Sequence, residues 1–331
     1  MIISRTPFRI SLFGGGTDYP DWYREHGGAV VGTAIDKYCY ISVRQLPPFF
    51  EHRTRIVYSR VELVREVSEI RHPAVRAVLS DMGLELGLEI HHDADLPARS
   101  GLGTSSSFAV GLINALHAFQ SRIIAKRELG RAAIRIEQEI LKENVGCQDQ
   151  LWAAYGGFNR IDFLPDDTFT VTPVILPASR LAELRNSIML FFTGFPRCTS
   201  YIVHEQIRNI GRHTCQLRAI RTLVESAVDI LVNPNQPLRE LGALLHESWR
   251  LKRELSSNVS NPHIDEIYQA GLDGGATGGK LLGAGGGGFM VFLVDPENRE
   301  RLRQRLKKLI HVSVGFDKDG SRIVLYQPEG L

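Results

Sequence analysis

The chain has 331 residues, 43% hydrophobic and 23% charged, and its 39 Lys and Arg against 37 Asp and Glu leave a formal net charge of +2. That length suits two packed domains or one bilobal unit and needs no disulfide or metal staple to fold. The near-neutral balance excludes a protein that binds nucleic acid by neutralising phosphates. No uninterrupted apolar run approaches the ~18 residues of a membrane span. The four cysteines, Cys39, Cys147, Cys198 and Cys215, form no CxxC pair, and no histidine cluster completes a zinc pattern. This usage fits a reducing cytosol. The start MIISRTPFRI lacks the basic region and apolar core of a secretion signal, so a cytoplasmic location is expected.

Glycine is the unusual residue: there are 31, and they cluster. Residues 8–13 read as a strand running into Gly14-Gly15-Gly16. Gly101-Leu102-Gly103 precedes a helix marked by Ala109, Leu112, Ile113, Leu116 and Phe119 at helical spacing. Leu129, Ala133, Ile136 and Ile140 predict a second helix over 126–143. Gly156-Gly157 marks a turn, and the 160s to 190s read as strands and loops, clearest at 188–192. Residues 199–231 and 238–255 read as helical. A third glycine cluster, 274–288, runs into the apolar stretch 289–294. Asp295-Pro296 is expected to cap a helix carrying Leu302, Leu306 and Leu309, and 312–316 and 322–326 read as closing strands. Strands then helices, followed by helices then strands, predict an α+β chain of two lobes divided near 160–200. We place the lobes at 1–180 and 181–331.

Residues 97–107 read Pro-Ala-Arg-Ser-Gly-Leu-Gly-Thr-Ser-Ser-Ser. A glycine loop feeding a helix start offers unpaired N–H groups and a partial positive charge to phosphate oxygens. One helix cap needs one hydroxyl, and four in succession exceed that need. Two other nucleotide motifs fail. Gly274 to Lys280 has Walker-like spacing, but Leu281 follows in place of a hydroxyl for magnesium. In the first cluster Tyr19 occupies the sixth place of a dinucleotide fingerprint. Glu137 falls on the apolar side of the predicted 126–143 helix, where a carboxylate needs a donor or a cation. Asp149 stands before Leu151-Trp152-Ala153-Ala154, placed equally well for a helix N-cap or for chemistry.

Three segments in order resemble the motifs of the GHMP small-molecule kinases: residues 7–18 (PFRISLFGGGTD), 97–107, and 280–289 (KLLGAGGGGF). The resemblance implies a two-lobed GHMP fold, with an N-terminal ribosomal-protein-S5-like lobe and a C-terminal ferredoxin-like lobe. It also implies ATP and Mg²⁺. On these positions Pro97, Arg99, Ser100, Gly101, Leu102, Gly103, Thr104, Ser105 and Ser106 would cradle the nucleotide. Ser105 and Glu137 would hold the metal. Asp149 would be the catalytic acid–base group and Arg9 would lie near the transferred phosphate. Gly15, Gly16, Thr17, Asp18, Gly285 and Gly286 would meet the substrate. Where galactokinases carry Gly-Glu-His-Thr-Asp, this chain carries Gly14-Gly15-Gly16-Thr17-Asp18. That version looks like the D-glycero-D-manno-heptose 7-phosphate kinase branch and its fucokinase-like relatives. The implied reaction is phosphorylation of an anomeric sugar hydroxyl, with a small-molecule sugar phosphate as partner and a monomer or homodimer as the working form. Alternatives are another sugar 1-kinase, an ATP-consuming decarboxylase, or a non-catalytic sugar and ATP sensor. A substrate phosphate would need a further basic site, for which Lys37, Arg44, Arg99 and Arg197 are candidates.

Overall fold

The computed structural model describes residues 1–84, 87–194 and 199–328, so Arg197 and Cys198 lie outside the described residues. The chain begins with β1 (Ile2–Phe13), α1 (Pro20–His26), β2 (Gly28–Gln45), β3 (Thr54–Val57), β4 (Val61–Val64), α2 (Pro73–Asp81) and β5 (Leu88–Ala94). It continues through α3 (Thr104–Phe119), α4 (Lys126–Arg135), α5 (Gln148–Tyr155), β6 (Phe158–Phe163), β7 (Phe169–Pro173), α6 (Ala178–Ser187) and β8 (Ile188–Phe192). The remainder is α7 (Thr199–Arg208), α8 (Thr214–Val232), α9 (Arg239–Glu254), α10 (Pro262–Asp273), β9 (Ala276–Leu281), β10 (Phe289–Val294), α11 (Arg299–Arg305), β11 (Ile310–Val312) and β12 (Arg322–Tyr326).

Two sheets organise these elements. The larger follows the order β12-β1-β2-β5-β3-β4, with β6 also on β2 and β7 on β6. The smaller is β11-β8-β10-β9, antiparallel throughout. β2 is long enough to serve two partners. Its first half pairs with β6, Gly28↔Phe163 to Thr33↔Phe158, and its second half with β5, Cys39↔Ala94 to Gln45↔Leu88. β1 lies along β2 over most of its length, and α3, α5 and α8 pack on it, so Phe8, Ile10, Leu12 and Phe13 are all buried. β12 pairs with β1, so the chain closes on the larger sheet rather than on the smaller one beside β11.

Several expectations change. The helix expected over 126–143 ends at Arg135 and passes into a π-helical turn, Ile136–Ile140. Such a turn re-aims side chains, and here it carries Glu137. Residues 178–187, read as loop and strand, form α6. Asp295 makes no side-chain cap; a 3₁₀ turn, Pro296–Asn298, comes before α11. β11 stops at Val312, and Phe316 makes only an isolated bridge to Ile35.

Candidate active site

The site is assembled where the end of β1, the start of α3, the start of α5 and the glycine loop between β9 and β10 meet. Arg9 on β1 is 5% exposed. Its Nε and Nη2 donate to Asp149 Oδ1 and Oδ2, each at 2.7 Å, and its Nη1 donates to Gly101 O at 2.6 Å. The bidentate geometry fixes the carboxylate plane, as a guanidinium fork does and an ammonium cannot. Asp149 sits in the first turn of α5, whose N-cap is Cys147; its side chain faces Arg9 and makes no cap.

Glu137 is 1% exposed and meets donors from the first turn of α3. Ser105 Oγ donates to Oε1 at 3.1 Å and Ser106 Oγ to Oε2 at 2.8 Å, while Gln150 Nε2 from α5 also donates to Oε2. Burial pushes the Glu137 carboxyl up to about 7; the Ser106 and Gln150 bonds pull the other way, and the nearby charges of Glu143 and Asp149 add to the rise. Gln150 was not anticipated from the sequence. It lies one residue beyond Asp149, and only the packing of α5 on α3 turns it toward Glu137.

The second and third glycine clusters pack backbone to backbone. Gly101 and Gly283 are both left-handed, φ 81° and 73°. A Cβ on Gly101 would lie 2.5 Å from Leu282 O, and one on Gly283 2.6 Å from the Gly101 Cα. Phe289 N donates to Ser100 O at 3.1 Å across the same seam. Gly103 is left-handed too, φ 74°, and opens α3; a Cβ there would press on Asp149 Oδ2 at 3.2 Å. Gly101→Ala combines a left-handed backbone with a clash against an immobile carbonyl, so it is expected to destabilise the fold by about 2–3 kcal/mol. Thermal denaturation measures this, and an unchanged midpoint would show that the seam opens freely.

The first glycine cluster bends beside these groups. Asp18 is 1% exposed; Oδ1 accepts from Gly16 N at 3.0 Å and Oδ2 from Gln148 N at 3.4 Å. Burial, and secondly the charge on Asp149, raise the Asp18 carboxyl above its usual range. A Cβ on Gly15 would meet no clash, only ordinary contacts with Ser11 Oγ at 3.8 Å and Gln148 Nε2 at 3.9 Å. Thr17 is turned inward: its one hydroxyl hydrogen lies within reach of Gly14 O at 2.8 Å or Ala29 O at 2.9 Å, and its oxygen accepts from Ala29 N, so it holds the bend. Leu102 is buried in the core and contributes its carbonyl, which accepts from Arg9 N at 3.1 Å. Pro97 and Arg99 are exposed; Arg99 N donates to Thr104 Oγ1 at 3.2 Å. Gly285 packs on Val259, and Gly286 N donates to Val259 O at 3.0 Å.

Two of the basic candidates are already engaged. Lys37 pairs with Asp36, and Arg44 with buried Glu89, which also takes Arg55 and His91. The sequence reading gave no site role to two lysines. Lys252 on α9 and Lys280 on β9 are 9% and 3% exposed. Lys252 falls in line with Leu241, Leu245, Ser248 and Trp249, the buried stripe of α9, and that spacing was the available signal.

The GHMP kinases N terminal domain model matches residues 65–157 and the GHMP kinases C terminal model residues 222–311. A D-glycero-alpha-D-manno-heptose 7-phosphate kinase of Campylobacter jejuni is 30% identical over 319 residues, covering 93% of both chains. A galactokinase of Pyrococcus furiosus is 26% identical over 334 residues, covering 91% of both. A solved structure described as a D-glycero-D-manno-heptose 1-phosphate kinase from Bacteriodes thetaiotaomicron has a TM-score of 0.80 at 25% identity, over 98% of each chain. With both family models matched in order and a 30% identical relative aligned almost end to end, the chain belongs to the GHMP kinase family.

Proposed function

We propose that this sugar kinase transfers the terminal phosphoryl group of ATP to the anomeric hydroxyl of D-glycero-D-manno-heptose 7-phosphate, giving the 1,7-bisphosphate. The observation that carries the reading is convergence: Arg9 bonds to both Asp149 and Gly101, and α3's first turn, just after that loop, bonds to Glu137.

The residues suit the groups they would bind. Ser100 Oγ is buried with no hydrogen-bond partner among the described residues, and Gly101 and Gly103 beside it carry no side chain to screen their backbone N–H groups. Together with the N-terminus of the 16-residue α3, they favour phosphate oxygens. Ser105 and Glu137 offer hard oxygen donors side by side and would hold Mg²⁺. When bound, that ion neutralises charge on the nucleotide's phosphates.

The chain's own residues orient and offset. Asp149, held in plane by Arg9, accepts the hydrogen bond of the acceptor hydroxyl and takes its proton as the new O–P bond forms and the bond to the leaving ADP oxygen breaks. An anomeric hydroxyl is more acidic than an ordinary alcohol, so a carboxylate suffices. Arg9 meets negative charge on the transferring group. Asp18 binds sugar hydroxyls, and Gly15 leaves room for a larger or charged sugar.

Similarity to the Campylobacter jejuni kinase supports the heptose phosphate. The test is a panel of this heptose 7-phosphate, the free heptose, L-fucose and galactose, followed by ADP release with the position of phosphorylation read by phosphorus NMR. The expected result is a kcat/KM for the heptose phosphate at least ~10²-fold above the free sugars, with the new phosphate at C1. Faster turnover of galactose or fucose would overturn the substrate assignment.

A further inference from the structure

Lys252 and Lys280 are buried lysines with no carboxylate partner within ion-pair distance among the described residues; burial pulls Lys252 down to about 8 and Lys280 well below the usual lysine range, so Lys252 is the one that keeps its charge near neutral pH. Lys252 Nζ donates to Leu281 O at 3.4 Å and to Gly283 O; Lys280 Nζ donates to Leu12 O at 3.0 Å. A buried ammonium is costly unless it is paired, and a carbonyl offsets only part of that cost. Each ammonium has three N–H donors. When protonated, Lys252 therefore has one left over and Lys280 two.

Their placement follows the seam already described. Lys280, on β9 of the smaller sheet, reaches across to Leu12 on β1 of the larger sheet, two residues before the Gly14 bend. Lys252 grips the carbonyl of Gly283, whose Cα packs against Gly101, and Gly101 O is the acceptor for Arg9 Nη1. A chain of contacts thus runs from Lys252 through Gly283 and Gly101 to Arg9 and Asp149. The two lysines and Arg9 repel one another, and Asp18 is the carboxylate that offsets both lysines; Asp149 also offsets Lys252. In this cluster Asp149 is taken up by Arg9, so the positive charge on the lysines is only partly balanced.

Resting on the kinase reading above, we propose that Lys252 and Lys280 are positioning residues for phosphoryl transfer. Lys252 holds Gly283 of the third glycine loop, which packs on Gly101 of the phosphate loop, and Lys280 ties the β9 stem of that loop to Leu12 on β1; the Lys252 ammonium also adds positive charge beside Arg9 and Asp149, where negative charge grows as the phosphoryl group moves. The clamp needs only a hydrogen-bond donor, whereas the field needs a charge. Lys252→Gln keeps a donor and removes the charge, and Lys252→Arg keeps both.

The experiment uses the full chain with ATP, Mg²⁺ and the acceptor that gives ADP release. Lys252→Gln is expected to lower kcat by ~10²-fold with KM for ATP within ~3-fold of the parent, and Lys252→Arg to recover at least a tenth of the parent kcat. A parallel readout is independent of the acceptor: binding of ADP with aluminium fluoride, which mimics the phosphoryl group in transfer, compared with binding of ADP alone. Lys252→Gln should weaken the fluoride complex by at least ~10-fold and ADP by less than ~3-fold. Equal weakening of both, or a lowered thermal midpoint with kcat unchanged, would reduce the lysine to a structural clamp and overturn the proposal. Absence of ADP release from the parent with every sugar would instead defeat the kinase reading, while the fluoride comparison would still decide the role of Lys252.

Discussion

Asp149→Asn is expected to lower kcat by roughly 10²–10⁴-fold, the usual contribution of a positioned acid–base group. Asparagine keeps the shape of the side chain and one acceptor for Arg9, so the loss reports on charge and proton acceptance rather than on packing. The buried guanidinium loses its ionic partner while keeping Gly101 O. A lowered thermal midpoint should therefore accompany the loss of rate. Nucleotide binding should change little, because the phosphate loop's N–H groups do not depend on Asp149. Pre-steady-state turnover together with calorimetric nucleotide binding separates the two effects. Near-normal turnover would remove Asp149 from the reaction.

Glu137→Gln is expected to have opposite effects on activity and on the stability of the metal-free protein. Burial lifts this carboxyl from its ordinary 4.5 to about 7. A raised carboxyl pKa favours the folded state fully below 4.5, and that contribution is lost as pH rises through about 7. The metal-free parent should therefore lose about 3 kcal/mol from this one group between acid and alkaline pH, a loss the variant should not share. Comparing parent and variant midpoints at about pH 4 and pH 8, the span over which this contribution is lost, isolates Glu137 from Asp18, Glu143 and Lys252, which also titrate abnormally. In turnover the variant should need far more Mg²⁺ or fail altogether. In the parent, the Mg²⁺ requirement should rise below pH 7, where the proton competes for the same oxygens. A variant with unchanged metal dependence would take Glu137 out of the metal site.

Periodicity read the large elements well where one face is buried. The strand leading into Gly14, the helix after Gly103 and the strand at 188–192 follow from local spacing. It failed where a long-range demand overrides the local pattern. Residues 126–143 carry helical spacing throughout, yet the backbone widens into a π turn at 136–140 around Glu137, which meets the hydroxyls of α3. Thr17 looked like a ligand contact because it sits in a ligand-binding motif; its hydroxyl is spent on the backbone of its own bend. Lys280 opens the third glycine motif, but nothing local says where its side chain goes, because its partner is Leu12, 268 residues away.

By itself the order of residues determined where the backbone turns left-handed and comes close, where a helix begins under a run of hydroxyls, and that a carboxylate stands on an apolar face. Those are properties of single residues and of neighbours three or four apart, and local sterics and hydration set them. Only the tertiary structure decided which charges meet. Arg9 and Asp149 are 140 positions apart, and Ser106 and Glu137 31 apart. They come together because two sheets and the helices between them bury their apolar faces in one arrangement, and the partners of a buried charge are whatever that packing places beside it.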